Sequence, residues 1–195
     1  MDLSTMLNSI LGDEKILAEL GSKVQATPDE VRKAATLGVP TLVEALDRNA
    51  REDGKKASLA KALEDHGNDD VDDVEGFLNG VDVNDGNKML DHIFGERKVN
   101  VENNIANNSG LGIGQVSGLM SMLAPLLMGM LGKKKREDNV SEGNLSDLTG
   151  SLGGVLGGLL GQKNSGVMDI AKKMLDKDGD GSFMDDLMGG LFGKK

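Results

Sequence analysis

Residues 116–131, VSGLMSMLAPLLMGML, carry no charged side chain in a chain of 195 residues. Their leucines and methionines recur at the spacing of a helix. With 16 residues, the stretch is shorter than the roughly 20 that a membrane-spanning helix needs. The stretch therefore predicts a helix buried in a protein core, and insertion into a membrane interface is the alternative.

A second stretch, residues 27–48, TPDEVRKAATLGVPTLVEALDR, resembles the first at an offset of 85 residues. It begins with a helix-start signal, because Thr27 can cap, Pro28 suits the first helical position and Glu30 completes a capping box. The corresponding pairs are Val31 and Val116, Pro40 and Pro125, Leu42 and Leu127, Leu46 and Leu131, and Arg48 and Lys133. An interior proline removes one hydrogen bond and kinks a helix. The shared proline register predicts a duplicated unit at about 26–48 and 111–133; chance similarity of apolar helices is the alternative.

The rest of the chain is also typical of an all-α protein. Short helical patterns at 58–65, 71–78 and 87–94 are separated by turn-forming clusters, and no alternating strand pattern occurs. Aromatic residues make up 2% of the chain, so the core must consist of Leu, Met, Val, Ile and Ala. We expect a compact multi-helix bundle with an internal repeat of two proline-kinked long helices, followed by glycine-rich C-terminal helices.

The composition changes along the chain in a way that predicts three segments. Residues 1–135 form the helical domain with the repeat, and residues 136–147 read as a charged linker. Residues 148–195 are rich in Gly and Leu and contain an Asp-rich loop.

Glycines at 150, 153, 154, 157, 158 and 161 would share one face of a helix. Each costs about 0.5–1 kcal/mol relative to alanine, so the six cost roughly 3–6 kcal/mol. Close approach of a second backbone would offset this cost. The second backbone is either the similar segment at 189–193 or another chain.

The sharpest motif, DKDGDGSF at 176–183, resembles the first half of an EF-hand calcium loop. Its candidate metal ligands are Asp176, Asp178, Asp180, Ser182 through its backbone carbonyl, and Asp185 or Asp186. Leu187 occupies the position of the usual bidentate glutamate, which predicts weak Ca²⁺ binding with a Kd of ~10⁻⁴–10⁻³ M. The alternative is an acidic, glycine-rich turn that caps the next helix.

Other classes of function are disfavoured by composition. The net charge of −10 opposes nucleic-acid binding, and the absence of cysteine excludes thiolate chemistry and fits a cytoplasmic protein. Neither a secretory signal nor a phosphate loop, nucleophile elbow or zinc-protease motif is found. His66 and His92 lack metal-ligand spacing, so we expect surface or capping roles. The protein is predicted not to be an enzyme.

Three motifs together resemble an uncharacterised bacterial family, domain of unknown function 937. They are Asp91-His92-Ile93-Phe94-Gly95, Leu123-Ala124-Pro125-Leu126-Leu127-Met128-Gly129, and Asp178-Gly179-Asp180-Gly181-Ser182 followed by Asp185-Asp186-Leu187. The resemblance implies a helical fold and a bacterial origin. It implies no catalytic residues, because the family has no established activity.

We expect a self-associating interaction or scaffold protein with a low-affinity calcium loop, whose partner is a second copy or another helical protein. This expectation rests on the glycine face, the methionine-rich helices, the aspartate loop and the absence of catalytic motifs. A calcium-responsive module and a membrane-associated helical protein are the alternatives.

Overall fold

The computed structural model describes residues 3–160 and the helical residues 171, 173 and 175. In this part of the chain the structure consists of helices and turns without strands, which confirms the all-α prediction. The α-helices are α1 Leu3–Gly12, α2 Glu14–Val24, α3 Pro28–Arg51, α4 Asp53–Asp65, α5 Val74–Gly80, α6 Val83–Phe94, α7 Lys98–Ser109, α8 Ile113–Glu137 and α9 Leu145–Leu160. Short 3-10 turns at Gly95–Arg97 and Glu142–Asn144 precede α7 and α9.

Helix α8 forms the centre of the protein. Every residue from Leu119 to Gly132 is buried, which is the behaviour expected of a helix that is apolar on all sides. Helices α2, α3, α4, α5, α6, α7 and α9 all contact it. The bundle is therefore organised around one helix that has no solvent-facing side over its middle turns.

By length and composition, α8 is the one helix among the described residues that could cross a membrane, but 72% of its apolar window is buried inside the protein. The helix has 25 residues, longer than its uncharged stretch, because its C-terminal end continues through Lys133 to Glu137. The contacts of α8 thus agree with the prediction of a core helix.

Helices α3 and α8 lie where the sequence places the two long helices of the predicted repeat. Each has its proline in its interior, at Pro40 and Pro125. Each also has a buried apolar face at the predicted pairs Val31 and Val116, Leu42 and Leu127, and Leu46 and Leu131. At the offset of 85 residues, Pro28–Arg51 corresponds to 113–136, which is nearly the whole of α8.

The repeat is longer than the sequence pattern predicted, because it includes the preceding helix and turn. Helix α2 corresponds to α7, and the C-cap residues Gln25 and Gly110 correspond to each other. Both C-caps are left-handed, with φ of 57° and 88°. Their backbone N–H groups donate to the corresponding carbonyls of Gly21 and Ala106. We call α2, its turn and α3 the first unit, and α7, its turn and α8 the second unit.

The two units exchange contacts in a reciprocal manner. Helix α3 of the first unit packs against α7 of the second, and α8 of the second unit packs against α2 of the first. A side-chain amide adds a polar link: Gln115 Oε1 accepts from the N–H of Gly112 at 2.8 Å, while its Nε2 donates to the carbonyls of Val24 and Gln25 at 2.9 and 2.8 Å. The side chain of its counterpart Glu30 is a carboxylate without an N–H group; its Oε2 accepts from the N–H of Thr27 and so caps only its own helix.

Two glycines allow other helices to approach α8 closely. A Cβ atom at Gly86 of α6 would overlap the backbone carbonyl of Ser121, and one at Gly132 would overlap the carbonyl of Leu63 in α4. Because backbone rather than a flexible side chain lies in the way, only glycine fits at these crossings.

Ion pairs join the end of α8 to α4 and to the loop that follows it. Lys133 pairs with Asp72, and Lys135 Nζ lies 2.7 Å from Glu64 Oε1. The hydrogen bond and charge of Lys133 lower the pKa of Asp72 from 3.8 to about 2. The carboxylate of Asp72 therefore stays ionised at neutral and mildly acidic pH.

Helix α9 packs on α3 through Leu145, Leu148, Leu152 and Leu156, all of them buried. Thr149 adds a hydrogen bond from its hydroxyl to Asp47 Oδ1 at 2.7 Å. Only a short connection with one 3-10 turn separates α8 from α9. The division into a domain, a linker at 136–147 and a separate C-terminal segment stays a prediction.

One buried carboxylate departs from the symmetry of the two units. Glu102 in α7 corresponds to Leu17 in α2, which is fully buried. Glu102 is 6% exposed, and its Oε1 atom has no hydrogen-bond partner. Replacing Glu102 by leucine should raise the free energy of unfolding by about 1–3 kcal/mol, because a buried unsatisfied polar group costs that much. Urea denaturation measures the free energy of unfolding. Glu102→Gln should raise it less than Glu102→Leu does. A lower free energy of unfolding in Glu102→Leu would contradict the correspondence between Glu102 and Leu17.

The close crossing at Gly86 gives a second prediction. Gly86→Ala should lower the free energy of unfolding by about 1–3 kcal/mol, because the added methyl group overpacks the contact between α6 and α8. Gly54 in α4 is the matched control, since nothing lies within 4 Å of its Cβ position. Gly54→Ala should instead stabilise the helix by about 0.5–1 kcal/mol. Equal effects of the two substitutions in thermal or urea unfolding would show that the crossing is not tight.

Candidate functional site

The predicted calcium loop lies outside the described residues. This applies to all of its candidate ligands: Asp176, Asp178, Asp180, Ser182, Asp185 and Asp186. The residue before the loop, Leu175, is described; it is 1% exposed and belongs to the hydrophobic core. Calcium binding by this loop stays a prediction.

The two histidines lie where surface and capping roles were expected. His66 is the C-cap residue of α4, and its Nδ1 lies 2.8 Å from Asp69 Oδ2. His92 is exposed in the last turn of α6. Within residues 3–160, 171, 173 and 175, no group of three or more His, Cys, Asp or Glu side chains is arranged to hold a metal ion.

An acidic cleft of about 470 Å³ opens between the end of α4, α5 and α6. Five aspartates line it together with His66: Asp69, Asp70, Asp73, Asp82 and Asp85. Two of them have structural roles as helix caps, because Asp73 accepts from the N–H of Gly76 and Asp82 accepts from the N–H of Asn84. Capping by carboxylates at helix N-termini accounts for much of the acidity of this cleft.

A second pocket, also of about 470 Å³, lies between the end of α3, α4, α6 and α8; we call it the α4–α6 pocket. Its lining residues are Asn49, Lys55, Ser58, Leu59, Lys61, Ala62, Asp65, Met89, His92, Ile93 and Met128. No sequence motif predicts this pocket, because its walls come from four separate helices. Asn49 is 5% exposed, so it is a buried polar residue in a largely apolar wall.

The third feature is the glycine face of α9, formed by Gly150, Gly153, Gly154, Gly157 and Gly158. The structure places these residues in one helix, as the sequence predicted. No described atom lies within 4 Å of a Cβ position at any of the five. The leucine side of α9 faces α3, so the glycine face is directed away from the core.

The expected approach of a second backbone to the glycines stays a prediction. No described atom lies near their Cβ positions, and another chain, the alternative to residues 189–193, is not part of the structure. The other segment considered for that contact, residues 189–193, lies outside the described part, as does Gly161. Within the described structure, the leucine side and the hydrogen bond from Thr149 to Asp47 hold α9 in place.

A family model described as "Bacterial protein of unknown function (DUF937)" matches residues 5–134. No curated protein and no solved structure matches the chain. The matched range includes both units of the repeat and nearly all of α8. It also contains two of the three motifs that carry the resemblance, at 91–95 and 123–129. Because the match covers well over half of its length, this chain belongs to the DUF937 family of bacterial proteins, whose function is unknown.

Proposed function

We propose that this protein is a non-enzymatic, self-associating interaction protein of the cytoplasm, and that it associates through the glycine face of α9. One observation carries the proposal: the five glycine positions of this face meet no described atom within 4 Å. In helix interiors, five glycines cost about 2.5–5 kcal/mol relative to alanine. Contacts inside the described structure do not offset this cost, and in this proposal a contact with another chain offsets it.

The leucine side of α9 makes the glycine face suitable for docking. Leu148, Leu152 and Leu156 are buried against the core, and Thr149 is hydrogen-bonded to Asp47. These contacts fix the rotation of α9 about its axis, so its glycines form a preorganised surface. A helix without side chains on one face lets another helix approach its backbone closely, where many van der Waals contacts form.

The partner that we propose is a second copy of this chain. An isologous contact between two α9 helices would place the same small-residue surface on both sides, as two-fold symmetry requires. Residues 150–160 contain no charged side chain, so two copies can meet there despite the net charge of −10. Because the face is uncharged, its association should also depend little on salt concentration.

The substitution Gly154→Gln tests this interface. The larger side chain should hold two helices apart and weaken association by roughly tenfold or more, since overpacking a close contact costs about 1–3 kcal/mol. Gly54→Gln is the matched control, because Gly54 is also helical and exposed with an open Cβ position. Sedimentation equilibrium of the full chain gives the dissociation constant of each variant.

Wild-type protein that stays monomeric at high micromolar concentration would contradict the proposal. So would equal weakening by the two substitutions, because it would show that α9 is not the interface. A circular dichroism spectrum of each variant checks that the helices remain folded.

A second proposal concerns calcium, and it rests on the aspartate pattern at 176–186. The pattern follows directly after Leu175, a residue of the hydrophobic core. Calcium bound to this loop would therefore act next to a helical residue that is packed against the bundle. Ligand binding of this kind stabilises the folded state by mass action.

Calorimetric titration of the full chain tests calcium binding. We expect a heat of binding that fits a Kd of ~10⁻⁴–10⁻³ M, as for a calcium loop that lacks its last glutamate ligand. Asp178→Ala should abolish this heat, because it removes one of three alternating carboxylates. Asp70→Ala removes the same charge from the acidic cleft and should leave the heat unchanged. Absence of heat at millimolar calcium, or heat that survives in Asp178→Ala, would refute the proposal.

A further inference from the structure

We propose that the α4–α6 pocket binds a small, uncharged apolar molecule that carries one hydrogen-bond donor, and that Asn49 accepts this hydrogen bond. The size of the pocket suits such a molecule. Its volume of about 470 Å³ lies within the range of about 300–1,000 Å³ that small-molecule sites occupy. The site is distinct from the glycine face of α9 and does not depend on self-association.

The polar requirement comes from Asn49 at the end of α3. Its Nδ2 donates to the backbone carbonyl of Ile93 at 3.1 Å, and Ile93 also lines the pocket. This bond fixes the amide plane and leaves Oδ1 as the free acceptor. Oδ1 is buried and has no hydrogen-bond partner. A ligand with an N–H or O–H group would supply the missing donor.

The apolar requirement comes from the walls. Leu59 and Met128 are buried, and Ala62 and Met89 are half-buried. Methionine side chains are flexible and polarisable, so Met89 and Met128 can adapt to a flat or irregular ligand.

The charges at the rim favour an uncharged ligand over an anion. Lys55 pairs with Glu52 at 2.9 Å, and Lys61 pairs with Asp65 at 3.0 Å. Each lysine thus has its charge balanced beside the pocket. A carboxylate or phosphate ligand would compete with Glu52 or Asp65 for these lysines, whereas a hydroxyl or an indole-type N–H group would not.

Of the two units, only the first supplies a buried amide at this position. Asn49 corresponds to Lys134 in α8, which pairs with Asp138 at 2.7 Å near the surface. The buried amide is therefore not a feature that the duplicated helix requires for folding. The amide of Asn49 occurs only in α3, and the C-terminal end of this helix lies beside the pocket.

Indole and 1-methylindole are suitable probes, because they differ mainly in the N–H donor. The protein contains no Trp or Tyr, so indole fluorescence has no background, and its 11 methionines can be observed by methyl NMR. We expect indole to shift the methyl signals of Met89 and Met128 through its ring current. Indole should bind roughly three- to tenfold more tightly than 1-methylindole, the contribution of one hydrogen bond.

Two substitutions locate the site. Asn49→Leu removes the acceptor with little change in size, so it should reduce indole to the affinity of 1-methylindole. Ala62→Phe fills the pocket and should abolish binding of both probes. The control is Asn107→Leu, which replaces an exposed asparagine of α7 and should change neither affinity.

Three results would overturn the proposal, and two of them need no variant. Unchanged Met89 and Met128 signals at millimolar indole would show that the pocket does not bind such molecules. Equal affinity of indole and 1-methylindole for the wild-type protein would show that no acceptor is used, even if Asn49→Leu failed to fold. Binding that survives in a folded Ala62→Phe protein would place the ligand elsewhere.

Discussion

The burial of α8 on every side is the constraint on which the rest of the structure depends. A helix with leucine or methionine on all faces cannot leave any face in water without losing about 25 cal/mol for each Å² of apolar surface. Seven other helices cover it. With aromatic residues at only 2% of the chain, the packing relies on aliphatic side chains and on close crossings, which Gly86 and Gly132 permit.

The two similar units explain how much of the packing around α8 is built from few distinct elements. Each unit is a short helix, a left-handed turn and a long helix with an interior proline. Because each long helix packs on the short helix of the other unit, neither unit buries its apolar face alone. The units then differ at single positions. Gln115 links the second unit to the first. Glu102 is a buried carboxylate at the position that corresponds to Leu17 of the first unit. Asn49 places a buried amide in the wall of the α4–α6 pocket.

Local signals made part of this structure predictable. The capping box at Thr27 and the interior prolines Pro40 and Pro125 are each visible in a short stretch of sequence, so both long helices could be located from the sequence. The extension of the repeat to α2 and α7 was missed, because its strongest mark is a backbone conformation. Gln25 and Gly110 share that conformation without sharing a side chain. The α4–α6 pocket depends on contacts between distant segments, which no local pattern encodes.

Glycine has two different roles in this chain, and the contrast bears on what α9 does. At Gly86 and Gly132 a side chain would overlap a neighbouring backbone, so the folded core itself requires glycine there. From Gly150 to Gly158, alanine would fit at each glycine position in the described structure and would favour the helix by about 0.5–1 kcal/mol. The packing of α9 on α3 therefore does not require these glycines. A surface that costs stability without serving the core is best explained by a contact that this surface makes with another backbone.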